Sequence, residues 1–445
     1  WTIEGAEAVI GEAEAIDGLL GLVNKSLVNV TERLGASRYD FLQTIRQYAM
    51  EKLLESNEAG ETHARHVEHV LEIVTEIAPD TSGAPRFAWF DHMEVEHDNL
   101  RAALEWSAAH SPPQAVQLGV VLGDFWLARD YYTEAQAWCQ TILAGSEGLT
   151  DLASARANLY AVLAQAAIYM GDHKSAYPAT VSGAALAEQA GDNAAQMRLY
   201  ALMGLSCMYL GDFAASMAAL DRGEALARQT ASARDLAMML IFRIQANYFA
   251  GSIEQMQAYA AEAEALTMVE AWHWSNTTLD FAFARLSGLL GNVERARVLF
   301  KRTAEAAEES GNVRLVISCQ SELAHILRRR GDEDEALRLY AEVLPRWRDL
   351  GHRSALAHEL ECIAFILSHK EQPEHAVTLL GAAEVLRAAA KAAMTKPEQA
   401  EYDQVLSVLH TGVEQNRFKE LWDAGRALDV DHAVEYALEA AGKTP

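Results

Sequence analysis

The chain repeats itself every 40 residues, and this period constrains the fold more than any other feature of the sequence. Five glycines and one substituted position share a register: Gly171, Gly211, Gly251, Gly291, Gly331 and Glu371. Four of these glycines precede a short polar residue, and a glycine followed by a capping residue ends one helix and begins the next. We therefore expect a solenoid of stacked helical pairs, whose long concave surface favours recognition over catalysis.

The same register predicts where the helices end. Halfway between the main turns lie three further glycines, each followed by a polar residue: Gly191, Gly311 and Gly351. Each repeat is therefore predicted to hold a pair of helices. The turns should lie within about two residues of positions 171, 191, 211, 251, 291, 311, 331 and 351.

Two columns of small residues indicate that the paired helices cross closely. Five positions after each main turn lie Ala176, Ser216, Met256, Ala296, Ala336 and Ala376, and seven positions before it lie Ala164, Gly204, Ile244, Ala284, Ala324 and Ala364. The pattern resembles the tetratricopeptide (TPR) repeat, lengthened by about six residues. The expected fold class is all-α: a right-handed TPR-like α-solenoid, preceded by a partial winged helix with a short β-hairpin.

Composition argues against several kinds of function. The 445 residues carry a formal net charge of −26, so we expect no direct binding of nucleic acid by this chain. It has no apolar run of about 18 residues, which argues against a membrane partner. Its four cysteines are scattered, which favours free thiols and a cytoplasmic location. Because the chain begins at Trp1, we interpret it as a fragment or a processed form.

The first 57 residues follow a different pattern. Apolar residues at helical spacing cover 7–22, a short strand is predicted at 26–30 and a polar turn at 31–36. A second strand or a helix start follows at 37–42, and an amphipathic helix at 44–54. Helix, β-hairpin and helix in this order outline a winged helix.

Three stretches of this region are similar to one protein family. They are LVNKSLV (22–28), RYDFLQTIRQYA (38–49) and DNLRAALEW (98–106). Their order, followed by long TPR-like repeats, resembles bacterial STAND-class signal-transduction NTPases, which include LuxR-like, AfsR-like and maltose-regulator-like transcriptional regulators. The stretch at 418–440 resembles the segment that often closes their repeat arrays. The resemblance implies a nucleotide-binding domain before the winged helix and a TPR sensor after it.

The resemblance also implies where nucleotide is bound. The chain has no G-x-x-x-x-G-K-[ST] loop, so we expect no enzyme activity and no cofactor here, and ATP or ADP would bind an absent domain of the parent protein. In the family, the segment matching Arg38–Asp40 folds towards the nucleotide. Tyr39 is therefore a predicted nucleotide-state contact, with packing against the wing as the alternative.

These observations divide the chain into four predicted parts. They are a partial winged-helix domain at 1–57, linker helices at 58–114, the TPR-like superhelix at 115–390 and C-terminal capping helices at 391–445.

The predicted binding site is the concave face, formed by the first helix of each pair. Helical spacing places aromatic and amide side chains on it in the earlier repeats, which suit a sugar or a peptide, and cations in the later ones, which suit a carboxylate or phosphate. The first set is Gln165, Tyr169, Tyr209, Gln245 and Tyr248, and the second is Arg285, His325, Arg328, Arg329 and His358. The alternatives are that the cations are ordinary solvated residues, or that they only pair with acids such as Glu322 or Glu361.

No catalytic residue and no metal site is predicted, since no metal-binding or nucleophile motif occurs. The expected function is the sensor or regulatory arm of a STAND-type, ATP-dependent transcriptional or signalling regulator. Its partners would be a protein, small-molecule or peptide signal and its own upstream NTPase domain. The alternatives are a passive TPR scaffold for protein interactions and a peptide-pheromone receptor.

Overall fold

The computed structural model describes residues 1–33, 35–76, 84–230, 232–267, 275–309, 311–390, 394 and 396–442. Within these ranges the chain forms 22 α-helices, one short 3-10 helix (Thr150–Leu152) and one two-stranded antiparallel sheet. The predicted all-α repeat fold with a single hairpin is therefore confirmed. None of the described helices has the length and apolar character that crossing a bilayer requires.

The chain divides into two compact units. Unit one comprises Trp1–Trp126 and Ala137–Leu159, and unit two comprises Leu127–Gln136 and Tyr160–Pro445. The four-part division of the sequence stays a prediction.

The elements before the regular repeats are α1 (Ile3–Ile10), α2 (Glu12–Asn24), β1 (Val28–Arg33), β2 (Ala36–Phe41), α3 (Gln43–Glu55), α4 (Ala59–Glu76), α5 (Ala84–His110), α6 (Pro112–Ala128) and α7 (Tyr132–Gly145). The helices of the repeats are α8 (Ala153–Tyr169), α9 (His173–Ala190), α10 (Asn193–Tyr209), α11 (Phe213–Gln229), α12 (Ala233–Ala250), α13 (Ile253–Thr267), α14 (Ser275–Leu289), α15 (Val293–Glu309), α16 (Val313–Arg330), α17 (Glu333–Asp349), α18 (Arg353–His369) and α19 (Pro373–Ala390). The closing helices are α20 (Lys396–Gly412), α21 (Gln415–Ala427) and α22 (Val430–Ala440).

The N-terminal elements differ from the prediction in two places. The single helix predicted at 7–22 is two helices, because Gly11 has a positive φ of 99° and separates α1 from α2. The hairpin is present, but its first strand begins and ends later than predicted, its second strand begins one residue earlier, and together they take up most of the polar segment 31–36. Val28 pairs with Phe41 and Arg33 pairs with Ala36. Polar side chains fit these positions because the outer face of the hairpin is solvated.

The predicted repeat turns are confirmed. Every predicted turn position lies between two helices, and the glycine at each one has a positive φ, from 67° at Gly191 to 94° at Gly331. Capping is also as expected, since the side chains of Asp172, Asp192 and Asp212 each accept a hydrogen bond from the backbone three residues later. Glu371 adopts the same left-handed conformation, with φ of 58°, at a cost of roughly 1–2 kcal/mol for a residue with a Cβ.

The small residues lie where the two helices of a pair cross. In the pair α10–α11, the Ser216 hydroxyl donates a hydrogen bond of 2.8 Å to the carbonyl oxygen of Gly204. A Cβ on Gly204 would lie 2.7 Å from the Leu220 side chain. Apolar side chains between the pairs form a core that runs from α12 to α22.

The closest helix contact in unit two lies between α19 and α21. A Cβ built on Gly425 would lie 2.0 Å from the carbonyl oxygen of Thr378, and one on Gly381 would lie 2.4 Å from that of Trp422. The obstructing atoms are backbone, so they cannot move aside as a flexible side chain would. The two glycines therefore let α21 close the array by direct backbone contact.

We expect Gly425→Ala to destabilise the protein by roughly 1–3 kcal/mol, because the added methyl overpacks the α19–α21 crossing. Chemical denaturation monitored by circular dichroism measures the change. The matched control is Gly412→Ala on α20, where nothing lies within 4 Å of the added Cβ. Equal stability of the two variants would show that the crossing is looser than described.

Candidate ligand-binding site

A cavity of about 220 Å³ lies in unit two. Its walls are formed mainly by the first helices of the pairs, α10, α12, α14, α16 and α18, with contributions from α17, α19 and α20. The cavity brings together six of the residues predicted to bind a ligand: Tyr209, Gln245, Tyr248, Arg285, His325 and His358. Arg329 instead lines a neighbouring cavity of about 310 Å³, together with Tyr248 and Arg285.

The aromatic part of the wall is held by stacking and one hydrogen bond. The Tyr209 ring lies parallel to the imidazole of His173, with 4.2 Å between centroids, and meets the ring of Phe249 edge-on at 4.9 Å. The Gln245 side chain donates to the Tyr209 hydroxyl over 3.4 Å. These contacts fix the ring faces that a bound molecule would meet.

Gln165 and Tyr169 do not line this cavity but lie beside it. The Gln165 amide donates to the Tyr169 hydroxyl over 2.6 Å and accepts from Arg198 over 2.8 Å. The guanidinium of Arg314 stacks on the Tyr169 ring, with 4.1 Å from Cζ to the ring centroid. Tyr169, one of the predicted aromatic binding residues, is therefore in contact with Arg314, a cation that the sequence analysis did not include among the binding residues.

The predicted cationic residues are already engaged within unit two. Arg285 lies over the Tyr248 ring at 3.7 Å and pairs with Glu322, with 3.2 Å between Nε and Oε1. Both terminal nitrogens of Arg328 contact the carboxylate of Glu401.

The remaining arginine of this set makes a weaker contact. Arg329 is exposed and donates to the Tyr248 hydroxyl over 3.4 Å. Its position, and those of Arg285 and His325, are compatible with ligand contact, so the predicted set stays a prediction.

Arg314 is the candidate that sequence reasoning missed. It lies in the first turn of α16, whereas the residues of this helix assigned to the concave face begin at His325. No carboxylate among the described residues lies within ion-pair distance of it, and its Nε is buried without a hydrogen-bond partner. The signal that could have found it is the start of α16 at Val313, since the inner face of that helix extends to its first turn.

Two neutral histidines lie in this part of unit two. Burial, with the nearby charge of Arg314, lowers the pKa of His352 to about 3. Burial lowers the pKa of His173 to about 4. The Ser354 hydroxyl lies 3.2 Å from Nδ1 of His352. Arg314 therefore has neutral hydrogen-bonding side chains beside it, and Asp130 favours its charged form from outside ion-pair distance.

A second group of ionisable residues lies where α16 meets α18. The Sγ of Cys362 is 3.6 Å from Nδ1 of His325 and 3.8 Å from Nε2 of His358. Burial, reinforced by His358 and the nearby arginines, lowers the pKa of His325 well below its usual value. Burial also opposes protonation of His358, but Cys362 and Glu398 outweigh it and raise that pKa well above the usual value.

The segment predicted to report nucleotide state lies in unit one, on β2. Arg38 is buried and paired with Glu96, and Asp40 accepts a hydrogen bond of 2.6 Å from Arg46. Between them, the backbone of Tyr39 exchanges hydrogen bonds with Trp1, and the two rings stack with centroids 6.5 Å apart. This describes packing of the wing, and nucleotide contact by Tyr39 stays a prediction.

The chain is similar in part to proteins of mycobacteria. A stretch of 130 residues is 37% identical to a protein of Mycobacterium tuberculosis (strain ATCC 25618 / H37Rv) described provisionally as an HTH-type transcriptional regulator. The match covers 29% of this chain and 14% of that protein. A stretch of 91 residues is 37% identical to an uncharacterised protein of the same strain, covering 19% of this chain and 23% of that protein. No model of a known protein family matches the chain.

Solved structures give distant likenesses. A Rap protein complexed with competence and sporulation factor is 13% identical with a TM-score of 0.43, covering 74% of this chain and 98% of that one. A STAND protein with a tetratricopeptide repeat sensor from Pyrococcus horikoshii is 14% identical with a TM-score of 0.38, covering 92% of this chain and 63% of that one. Both TM-scores lie below 0.5, which is too low to transfer a function to this chain.

The wall of the cavity contains a carboxyl group whose ionisation opposes folding. Glu359 is 1% exposed, and burial raises its pKa from 4.5 to about 7. The unfolded chain therefore loses this proton near pH 4.5 and the folded chain near pH 7. Between these values the folded state binds more protons, so the free energy of unfolding falls as pH rises.

We expect Glu359→Gln to lose less stability than the wild type between pH 5 and pH 8, by up to roughly 3 kcal/mol, because the amide cannot ionise. Urea denaturation at a series of pH values measures the difference. Glu342→Gln, at an exposed position on α17, is the control and should follow the wild-type pH profile. A Glu359→Gln profile parallel to the wild type would contradict the assignment.

Proposed function

We propose that this chain is the ligand-sensing arm of a STAND-type, ATP-dependent transcriptional or signalling regulator. The sensor site in this proposal is the 220 Å³ cavity of unit two. The signal is a small molecule or peptide that carries a carboxylate or phosphate group. The partial similarity to an HTH-type transcriptional regulator supports a regulatory role. Hydrolysis of ATP would belong to another part of the parent regulator.

The observation that carries the proposal is the Nε of Arg314, which is buried without a hydrogen-bond partner on a guanidinium that no described carboxylate contacts within ion-pair distance. An arginine keeps its charge at such a position, and a directly contacting counter-ion would stabilise it. Among the described residues, stacking on Tyr169 supports its flat face but supplies no negative charge. An anionic ligand would supply that charge, since carboxylates and phosphates match the forked donors of arginine.

The rest of the cavity suits the non-ionic part of such a ligand. The rings of Tyr209, Tyr248 and Phe249 offer flat apolar surface, and the side chains of Gln245 and Ser354 can donate or accept hydrogen bonds. A cavity with apolar walls and a few converging polar groups is typical of small-molecule sites. The chemistry of the walls therefore supports a compact anion with an attached apolar or aromatic part.

The regulatory step would be thermodynamic linkage. A ligand shifts an equilibrium between two states only as far as it binds them with different affinity. In this proposal the ligand binds tightly when Arg314 on α16 lies against Tyr169 on α8, and it thereby favours that arrangement of the repeats. The NTPase domain of the parent would respond to the resulting change.

We expect carboxylate- or phosphate-bearing ligands to raise the melting temperature of the wild-type chain, and Arg314→Gln to abolish this shift. The probes are inorganic phosphate, and short peptides with a free or an amidated C-terminus. Loss of a charge-assisted hydrogen bond costs about 1.5–3 kcal/mol, which weakens binding roughly 10- to 150-fold. Thermal-shift titration followed by calorimetry measures both effects.

The matched control is Arg338→Gln on α17, where the arginine is half exposed and pairs with Glu342. That variant should bind as the wild type does. A free-carboxylate peptide that binds while its amidated form does not would identify the anionic group as a C-terminus. Absence of any shift would instead support the passive scaffold, and a shift that survives Arg314→Gln would show that the anion does not bind at Arg314.

A further inference from the structure

We propose that His325, His358 and Cys362 form a binding site for a zinc-class divalent ion between α16 and α18. One donor atom from each residue lies within 4.8 Å of the other two. The inference concerns other side chains than those of the proposed anion site and a metal ion instead of an organic anion, and both histidines line the same cavity. It also departs from the sequence-based expectation of no metal site.

The repeat geometry explains why these three residues meet. His358 and Cys362 are four positions apart on α18 and therefore share one face of that helix. His325 lies on α16, the equivalent first helix of the preceding pair, and faces them with 4.5 Å between the centroids of the His325 and His358 rings. No short motif marks the site, since His325 and Cys362 are 37 residues apart.

The two sulfur–nitrogen distances match a tetrahedral centre. Zinc–sulfur bonds of about 2.3 Å and zinc–nitrogen bonds of about 2.0–2.1 Å give a sulfur–nitrogen separation of roughly 3.6 Å. The Sγ of Cys362 lies 3.6 Å from Nδ1 of His325 and 3.8 Å from Nε2 of His358. Three protein ligands leave the fourth position of the ion to a water molecule. Oε1 of Glu398 lies 3.5 Å from the same Nε2, beside the site but outside the set of donor atoms that lie within 4.8 Å of one another.

Each histidine presents its second nitrogen to a carboxylate, which is the usual outer arrangement of metal-binding imidazoles. Nε2 of His325 is 3.8 Å from Oε1 of Glu359, and Nδ1 of His358 is 3.6 Å from Oε2 of Glu361. Arg387 holds Glu361 in place with two hydrogen bonds. The orientation of both rings is therefore fixed with the remaining nitrogens directed at Cys362.

One competing contact defines what the ion must displace. The Tyr340 hydroxyl lies 2.8 Å from Nδ1 of His325, so this nitrogen exchanges a tyrosine hydrogen bond for a metal bond on binding. The Tyr340 hydroxyl can then donate a hydrogen bond to the Cys362 thiolate. The exchange leaves no buried polar group without a partner.

The charges at the site fit a divalent ion. The Cys362 thiolate offsets one of the two positive charges, the carboxylate of Glu398 beside the site favours the other, and Arg328 is paired with Glu401. A donor set of sulfur and imidazole nitrogen selects zinc over magnesium or calcium, which prefer oxygen. His325, His358 and Glu398 all line the 220 Å³ cavity, which gives the ion a route of entry.

The experiment titrates the chelator-stripped chain with Co²⁺, then with Zn²⁺ as competitor. We expect one equivalent of Co²⁺ to produce a thiolate-to-cobalt charge-transfer band with the visible bands of a tetrahedral centre, and Zn²⁺ to displace it. Cys362→Ser should abolish the charge-transfer band. His358→Gln, at a partly exposed position, should keep the fold and weaken binding at least tenfold.

The control is Cys207→Ser, which removes another buried free cysteine and should leave the spectrum unchanged. Absence of a charge-transfer band from the wild type at one equivalent overturns the proposal without recourse to any variant. A band that survives Cys362→Ser in folded protein, or one that disappears in Cys207→Ser, also overturns it. In either case the three residues form only a hydrogen-bonded cluster.

Discussion

The close crossing of two helices within each pair is the constraint on which the rest of the structure depends. The crossing requires small residues on both helices, as the hydrogen bond from Ser216 to the backbone of Gly204 illustrates. It also requires left-handed turns of fixed length, which glycine adopts without steric cost. Because each pair closes in the same way, the first helices are stacked in register. Their inner faces then form one surface that can be lined with polar side chains.

That surface explains why unit two buries so many charged groups. Arg285, Arg328 and Arg387 lie at helix interfaces, where removal from water is costly. Each of them contacts a carboxylate, and Arg285 and Arg328 also lie over an aromatic ring. Arg314 has the aromatic contact without a carboxylate, and this difference distinguishes a candidate recognition group from cations whose charge is already compensated.

Turn positions could be predicted from the sequence because glycine conformation and capping are local properties of a few residues. The burial of the two columns of small residues could be predicted from the same 40-residue period. Glu322 and Glu361 could be named from the sequence as acids that pair with the groove cations, and they lie beside Arg285 and His358. The partner of Arg328 could not be predicted, since Glu401 lies 73 residues away on a helix outside the regular repeat. Arg314 was missed because its environment depends on Tyr169, a residue of a distant repeat. The break at Gly11 was missed because an apolar pattern alone does not specify the sign of φ.

The contacts of α16 suggest why ligand binding in the cavity could be transmitted through the array. Arg314, in its first turn, reaches Tyr169 on α8, while His325 and Arg328, further along the same helix, contact Cys362 on α18 and Glu401 on α20. One helix therefore carries contacts to early, adjacent and closing elements of unit two. An anion held by Arg314 would favour the arrangement in which all of these contacts coexist, because it would supply the contacting counter-ion that Arg314 lacks among the described residues. Binding free energy would then stabilise a particular stacking of the repeats, which is the physical requirement for a sensor.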